Sequence, residues 1–206
     1  MKIKALLFSI DFHTYGSRLM YSVYRMKVPV VMLSIVFMSF NSTAQIEKYF
    51  RQGVEEYEKK NYVEAIKLYT SALEFDSTSP NVLVARAVAR MESGQYTSAL
   101  SDLNTSVKYN AGYKDSYFQR ARVKGLLKKY REAIDDWKIY LSMDTLNADA
   151  FFNMANDKVN IKDIEGAIAA YEKSISLDGR NPDVYTGEGV AYGMLKQYRK
   201  SLELFN

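Results

Sequence analysis

The sequence predicts an all-α protein made of antiparallel helix hairpins stacked side by side, and three observations carry that reading. Alanine recurs every 34 residues, at Ala65, Ala99, Ala133 and Ala167, and the next step lands on Ser201, another small residue. Columns of small and aromatic residues keep the same period, and short polar breaks divide each period in two. A fixed period of this length marks one supersecondary element that cannot bury its apolar face alone, so neighbours stack into a continuous core.

The first helix of each unit is defined by two columns. Gly53, Ala87, Ala121, Ala155 and Gly189 lie twelve residues before the alanine column, and Tyr49, Leu83, Tyr117, Phe151 and Tyr185 lie sixteen before it. Lys59-Lys60-Asn61, Ser93-Gly94-Gln95 and Lys128-Lys129 then break the pattern, and such short links force antiparallel hairpins. The second helix holds the alanine between Tyr62, Tyr96, Tyr130, Ile164 or Tyr198 on one side and Tyr69, Leu103, Trp137, Tyr171 or Phe205 on the other. Small residues let two backbones approach while the aromatics fill the space between units. The second helices are expected to end near Asp76, Asn110, Asp144 and Asp178, and Pro80 and Pro182 to open the helices that follow. Proline is tolerated there because its missing N–H has no intrahelical partner. The resulting units are about 46–79, 80–113, 114–147, 148–181 and an incomplete 182–206.

In period, columns and hairpin, residues 46 to 206 resemble the tetratricopeptide repeat family. The resemblance implies a right-handed superhelical solenoid whose first helices line a concave surface, where partner peptides or helices lie. Two columns depart from the family pattern. Its leucine before the small residue is replaced by Gln52, Arg86, Arg120, Met154 and Glu188, and its closing proline by Ser77, Ala111, Thr145 and Gly179.

Arg86 stands sixteen residues before Asp102 and Arg120 sixteen before Asp136, whereas the other units hold Gln52 with Leu68, Met154 with Ala170, and Glu188 with Leu204. Arginine and aspartate occur together or not at all. An ion pair joining the two helices inside units two and three is therefore expected, because a partly buried charge needs its partner.

The first 44 residues are of another kind. Lys27 precedes the apolar run Val28 to Phe40, and Ser42-Thr43-Ala44 places small residues where a signal peptidase reads, so Gln45 would begin the mature chain. The run is shorter than the roughly 20 residues of a membrane-spanning helix. An export leader is expected, with a retained membrane anchor as the alternative, and Met26 would open a more compact leader than Met1. Residues 45–206 then form the repeat domain, and the expected location is the periplasm or cell envelope.

The formal net charge of +4 resides entirely in this leader, where five cations face only Asp11. The mature part is neutral, and no basic stripe with stacking aromatics remains to argue for nucleic acid. Unit three carries Arg120, Arg122, Lys124, Lys128, Lys129 and Arg131, but Asp135 and Asp136 follow, so a solvated helix face is expected there. The single histidine, His13, lies in the leader and cysteine is absent, which removes histidine triads, thiol nucleophiles and the usual zinc sites from the repeats. Adjacent carboxylates such as Glu55-Glu56 diverge on a helix. An enzyme, a cofactor and a metal are accordingly not expected.

Binding is the expected work, and a second stripe on the first helices suggests its place. At spacing i, i+4, i+7 it runs Phe50, Val54, Tyr57; then Val84, Val88, Met91; then Phe118, Arg122; then Phe152, Asn156, Val159. In the related family this stripe lines the groove. The family's clamp for chaperone tails wants lysine and asparagine where Phe50 and Val54 stand, so such tails are not expected. The competing reading is that these side chains pack against the next unit.

Leu202 and Phe205 meet no capping helix in the sequence, so the array is expected to continue or to be covered by another chain. The reading is a non-enzymatic protein-interaction scaffold that holds a protein or peptide segment, touching a membrane only through an uncleaved leader. The alternatives are an input or docking domain of a larger sensory or enzymatic protein, and a self-assembling array.

Overall fold

A computed structural model of the protein describes residues 30–204. His13, Lys27 and the rest of the leader up to residue 29, and Phe205 of the aromatic column, lie outside the described residues. The described residues form ten α-helices and no strand: α1 (Val30–Glu58), α2 (Tyr62–Leu73), α3 (Pro80–Glu92), α4 (Tyr96–Tyr109), α5 (Lys114–Leu126), α6 (Tyr130–Met143), α7 (Ala148–Asn160), α8 (Ile164–Leu177), α9 (Pro182–Met194) and α10 (Tyr198–Leu204). The chain divides into two compact units, Met1–Gln45 and Ile46–Asn206. The second holds the repeats, with α1 contributing its residues from Ile46 onward. No helix among the described residues is long and apolar enough to cross a membrane.

From α2 onward each helix packs on the next in sequence, α1 meets α2 through Phe50 and Tyr69, and first helices also meet across units, α3 with α5, α5 with α7 and α7 with α9. The alanine column is fully buried at Ala65, Ala99, Ala133 and Ala167. A Cβ placed on Gly53 would come within 2.5 Å of the Tyr69 ring, so the large residue of one helix occupies the space that the small residue of the other leaves. Ser201 uses its place in the alanine column differently, donating its hydroxyl to the Gly189 carbonyl at 2.7 Å. The buried residues gather in four clusters strung along the array, centred on Tyr69, Leu103, Trp137 and Tyr171.

The break inside every unit is one repeated structure. Lys60, Gly94, Lys128, Lys162 and Lys196, again 34 apart, have left-handed backbone with φ of 62°, 77°, 60°, 65° and 61°. The next residue's N–H reaches five residues back: Asn61 to Glu56 at 2.9 Å, Gln95 to Arg90 at 2.8 Å, Lys129 to Lys124 at 2.8 Å, Asp163 to Lys158 at 3.0 Å and Gln197 to Tyr192 at 2.9 Å. This closes the helix end by satisfying carbonyls that have no intrahelical partner. Between units, Asp76, Asn110, Asp144 and Asp178 accept the backbone N–H two residues on, at 2.9, 3.1, 3.3 and 3.1 Å. These side chains form the turn. Asn110, Asp144 and Asp178 also cap their helices as expected, whereas α2 ends earlier, at Leu73, and leaves Asp76 in the turn. Pro80 and Pro182 open α3 and α9.

The expected ion pairs are present. Arg86 grips Asp102 through Nη2 at 2.7 Å and Nε at 2.9 Å, and Arg120 grips Asp136 at 2.7 and 2.8 Å. Their Nη1 groups reach back to Thr70 Oγ1 at 3.0 Å and Asn104 Oδ1 at 3.2 Å, so each arginine joins three helices. A second cation completes each site, Arg90 on Asp102 and Lys124 on Asp136. The basic cluster of unit three is therefore not simply a solvated face. Arg120 and Lys124 turn inward, with side chains 15% and 12% exposed, because the buried Asp136 holds them.

Candidate functional site

The second stripe divides once its side chains are placed. Val84 and Met91 are buried, 9% and 5% exposed, in the cluster that also holds Leu103 and Val123, so they serve the core and not a surface. Val88 is half-buried against the same cluster. Phe50 meets the Tyr69 ring at 5.8 Å and Tyr57 meets Tyr62 at 5.5 Å, while Val54 packs beside them. Phe118 stands edge-on to Trp137 and Tyr140 at 5.1 and 5.0 Å, and Phe152 tilts against Tyr171 at 6.1 Å, with Val159 nearby. The half-buried members thus press one flank on the core and leave the other at the surface.

Arg122 and Asn156 are brought together. Both line a pocket of about 250 Å³ between α5 and α7, whose wall also includes Gly125, Leu126, Asn153, Asp157 and Trp137. Its polar groups are held in place: Arg122 donates from Nη1 to Gln119 Oε1 at 2.9 Å, and Asn156 Oδ1 accepts the Tyr171 hydroxyl at 2.6 Å. The Asn153 amide donates to the Asp149 carbonyl at 2.7 Å, which leaves its own oxygen as an acceptor.

Asp157 lies at the floor, 7% exposed, and its Oδ2 accepts the indole N–H of Trp137 at 2.8 Å. Burial pushes its carboxyl up to about 6, against the opposing pull of that N–H. The pocket exists because Gly125 has no side chain. A Cβ there would stand 3.1 Å from Asp157 Oδ1.

Gly125, Asn153, Asp157 and Trp137 were not foreseen as site residues, although the repeat contains the signal for two of them. Gly125 occupies the stripe position of Met91 and Val159, one and the same step of the repeat. Asp157 occupies the position of Ala89, Val123 and Ala191, all fully buried and apolar, and of Glu55, which is exposed in the first unit. Two departures from the periodic pattern thus meet at one joint.

Elsewhere the larger depressions are simpler. One of about 360 Å³ runs along α4 beside Leu100 and Asn104, and one of about 390 Å³ lies at the turn from α1 to α2. Among the described residues no group of three or more His, Cys, Asp or Glu side chains is placed to hold a metal ion.

Comparison with known proteins agrees with this architecture. Residues 148–181 match the tetratricopeptide repeat family model. No curated protein sequence matches the chain. Among solved structures, the MamA protein superimposes with a TM-score of 0.73 at 22% identity, covering 78% of this chain and 88% of its own. MamA from Desulfovibrio magneticus, residues 41 to the end, gives 0.75 at 16% identity, covering 78% and 91%. YrrB, described as a TPR protein with an unusual peptide-binding site, gives 0.68 at 17% identity, covering 79% and 88%. The fold is thus an all-α solenoid of the tetratricopeptide type.

Proposed function

We propose that this chain is a non-enzymatic scaffold that holds a segment of another protein along the face formed by its first helices. The observation that carries this reading is the joint between α5 and α7. There the half-buried stripe opens into a pocket whose walls offer an aromatic ring, two amides, a guanidinium and a carboxylate. An apolar surface with a few convergent polar groups is what recognition of a peptide segment requires. The peptide-binding site of YrrB, on a like fold, supports the same use. The neutral repeat domain favours a protein partner over nucleic acid.

The proposal extends to location: an export leader cleaved after Ala44 would deliver the chain to the periplasm or cell envelope. The intact mass of the exported chain tests this: cleavage after Ala44 yields a chain beginning at Gln45.

The binding face is tested by affinity capture from an envelope extract with two charge variants shown to remain helical. Val88→Lys with Arg122→Glu alters the first-helix face. Lys138→Glu with Lys173→Glu alters exposed positions on α6 and α8. A partner lost by the first variant and kept by the second is the expected result. Equal capture by both would remove this face from the function.

A further inference from the structure

Among the described residues, three aspartates are buried. Asp102 is held by Arg86 and Arg90, and Asp136 by Arg120 and Lys124. These two buried carboxylates are thus met by two cations each, which offsets the cost of desolvating a charge. Asp157 differs from them: among the described residues, no ion pair includes it, and the Trp137 N–H bonds its Oδ2 alone. Among the described residues Glu188 is buried without an ion pair as well, but it is Asp157 that lines the pocket between α5 and α7. The neighbouring Lys158 turns to Asp163 instead, at 3.2 Å.

The other carboxylate oxygen faces the side where Gly125 removes a side chain. The pocket's volume of about 250 Å³ is several times the roughly 30 Å³ that one water occupies in the liquid. It therefore has room for an extended side chain and not only for solvent. Its acceptors are the Asp157 carboxylate and Asn153 Oδ1, and the Trp137 ring forms part of the wall. A carboxylate beside an aromatic ring is a complement for a cation.

Resting on the proposed binding face, we infer that the joint between α5 and α7 is a specificity pocket that takes a lysine or arginine side chain of the bound segment, with Asp157 as its counter-ion. Arg122, anchored on Gln119 at the pocket wall, is placed to donate to a backbone carbonyl of the same segment. The ligand supplies to Asp157 the cation that the chain itself supplies to Asp102 and Asp136. Gly125 keeps the entrance open, which explains why the stripe position filled by methionine and valine in neighbouring units is empty here.

The test is selection of random dodecapeptides on the full chain, followed by titration of a selected peptide and its norleucine analogue against the parent and Asp157→Asn. Asparagine keeps an oxygen for the Trp137 N–H, so the variant retains the fold while losing the charge. The expected result is a basic residue fixed at one position of the selected peptides. Replacing it by norleucine weakens binding to the parent by about tenfold or more and leaves binding to Asp157→Asn unchanged, as a lost charge-assisted hydrogen bond would. Peptides without a fixed basic residue that bind parent and variant equally would overturn the pocket assignment and leave the binding face standing. Failure to select any peptide would overturn both.

Discussion

Asp157 carries two opposite consequences. Its carboxyl is raised from 3.8 in the open chain to about 6 in the fold, so the proton stabilises the fold below about pH 4, and that contribution is lost as pH rises through 6. Asp157→Asn should match the parent near pH 4 and exceed it by on the order of 2 to 3 kcal/mol above pH 7, read from urea unfolding at the two pH values. The paired aspartates behave otherwise. Asp102→Ala leaves two guanidinium groups without their carboxylate at a site only 6% exposed, and should cost about 3 kcal/mol or more. Lys138→Ala, which breaks an exposed pair with Asp135, should cost less than about 1 kcal/mol in the same assay. The first of these sites was legible in the sequence because its two residues come and go together between units. Their second cations, Arg90 and Lys124, were missed, since a basic residue four positions along a helix has many other uses. Asp157 was hidden for a different reason. A carboxylate in a helical run looks solvated until it is set beside the buried Ala89, Val123 and Ala191 of the same column.

Helices and their order follow from the columns of small and aromatic residues, since packing large into small fixes which faces meet. Their ends are less legible. The left-handed residue that closes every first helix is glycine only at Gly94, and lysine at the other four places. Lysine has no preference for that backbone, so only the period reveals it. A left-handed L-residue costs about 1 to 2 kcal/mol relative to its usual conformation. Gly94→Ala should therefore destabilise by about 1 kcal/mol, and Lys128→Gly should stabilise by several tenths of that, both read by thermal or urea unfolding. The seam between α4 and α5 offers a second check. Ser106 and Ser116 are fully buried and share a hydrogen bond of 2.6 Å at places where other units carry Ala72 and Val82. Ser106→Ala alone strands its partner and should cost about 1 to 3 kcal/mol, whereas adding Ser116→Val should return most of the loss.

At the scale of the whole molecule, the core is a row of joints rather than one centre, so stability should vary along the chain. Units two to four have neighbours on both sides, whereas α10 buries no residue. Amide hydrogen exchange should be slowest in α4, α6 and α8 and fastest in α10. The 34-residue step that makes this row legible also fixes how the protein can change in length. Each turn between units begins on Asp76, Asn110, Asp144 or Asp178, and each hairpin turns at the same interior position. Excising residues 111–144 would join Asn110 to Thr145 and return every later side chain to the face it had before. Excising one residue fewer would rotate all that follows by about 100° on its helix and turn the buried columns outward. The array can lose or gain length only in whole steps, and its sequence is in that sense a ruler with one graduation.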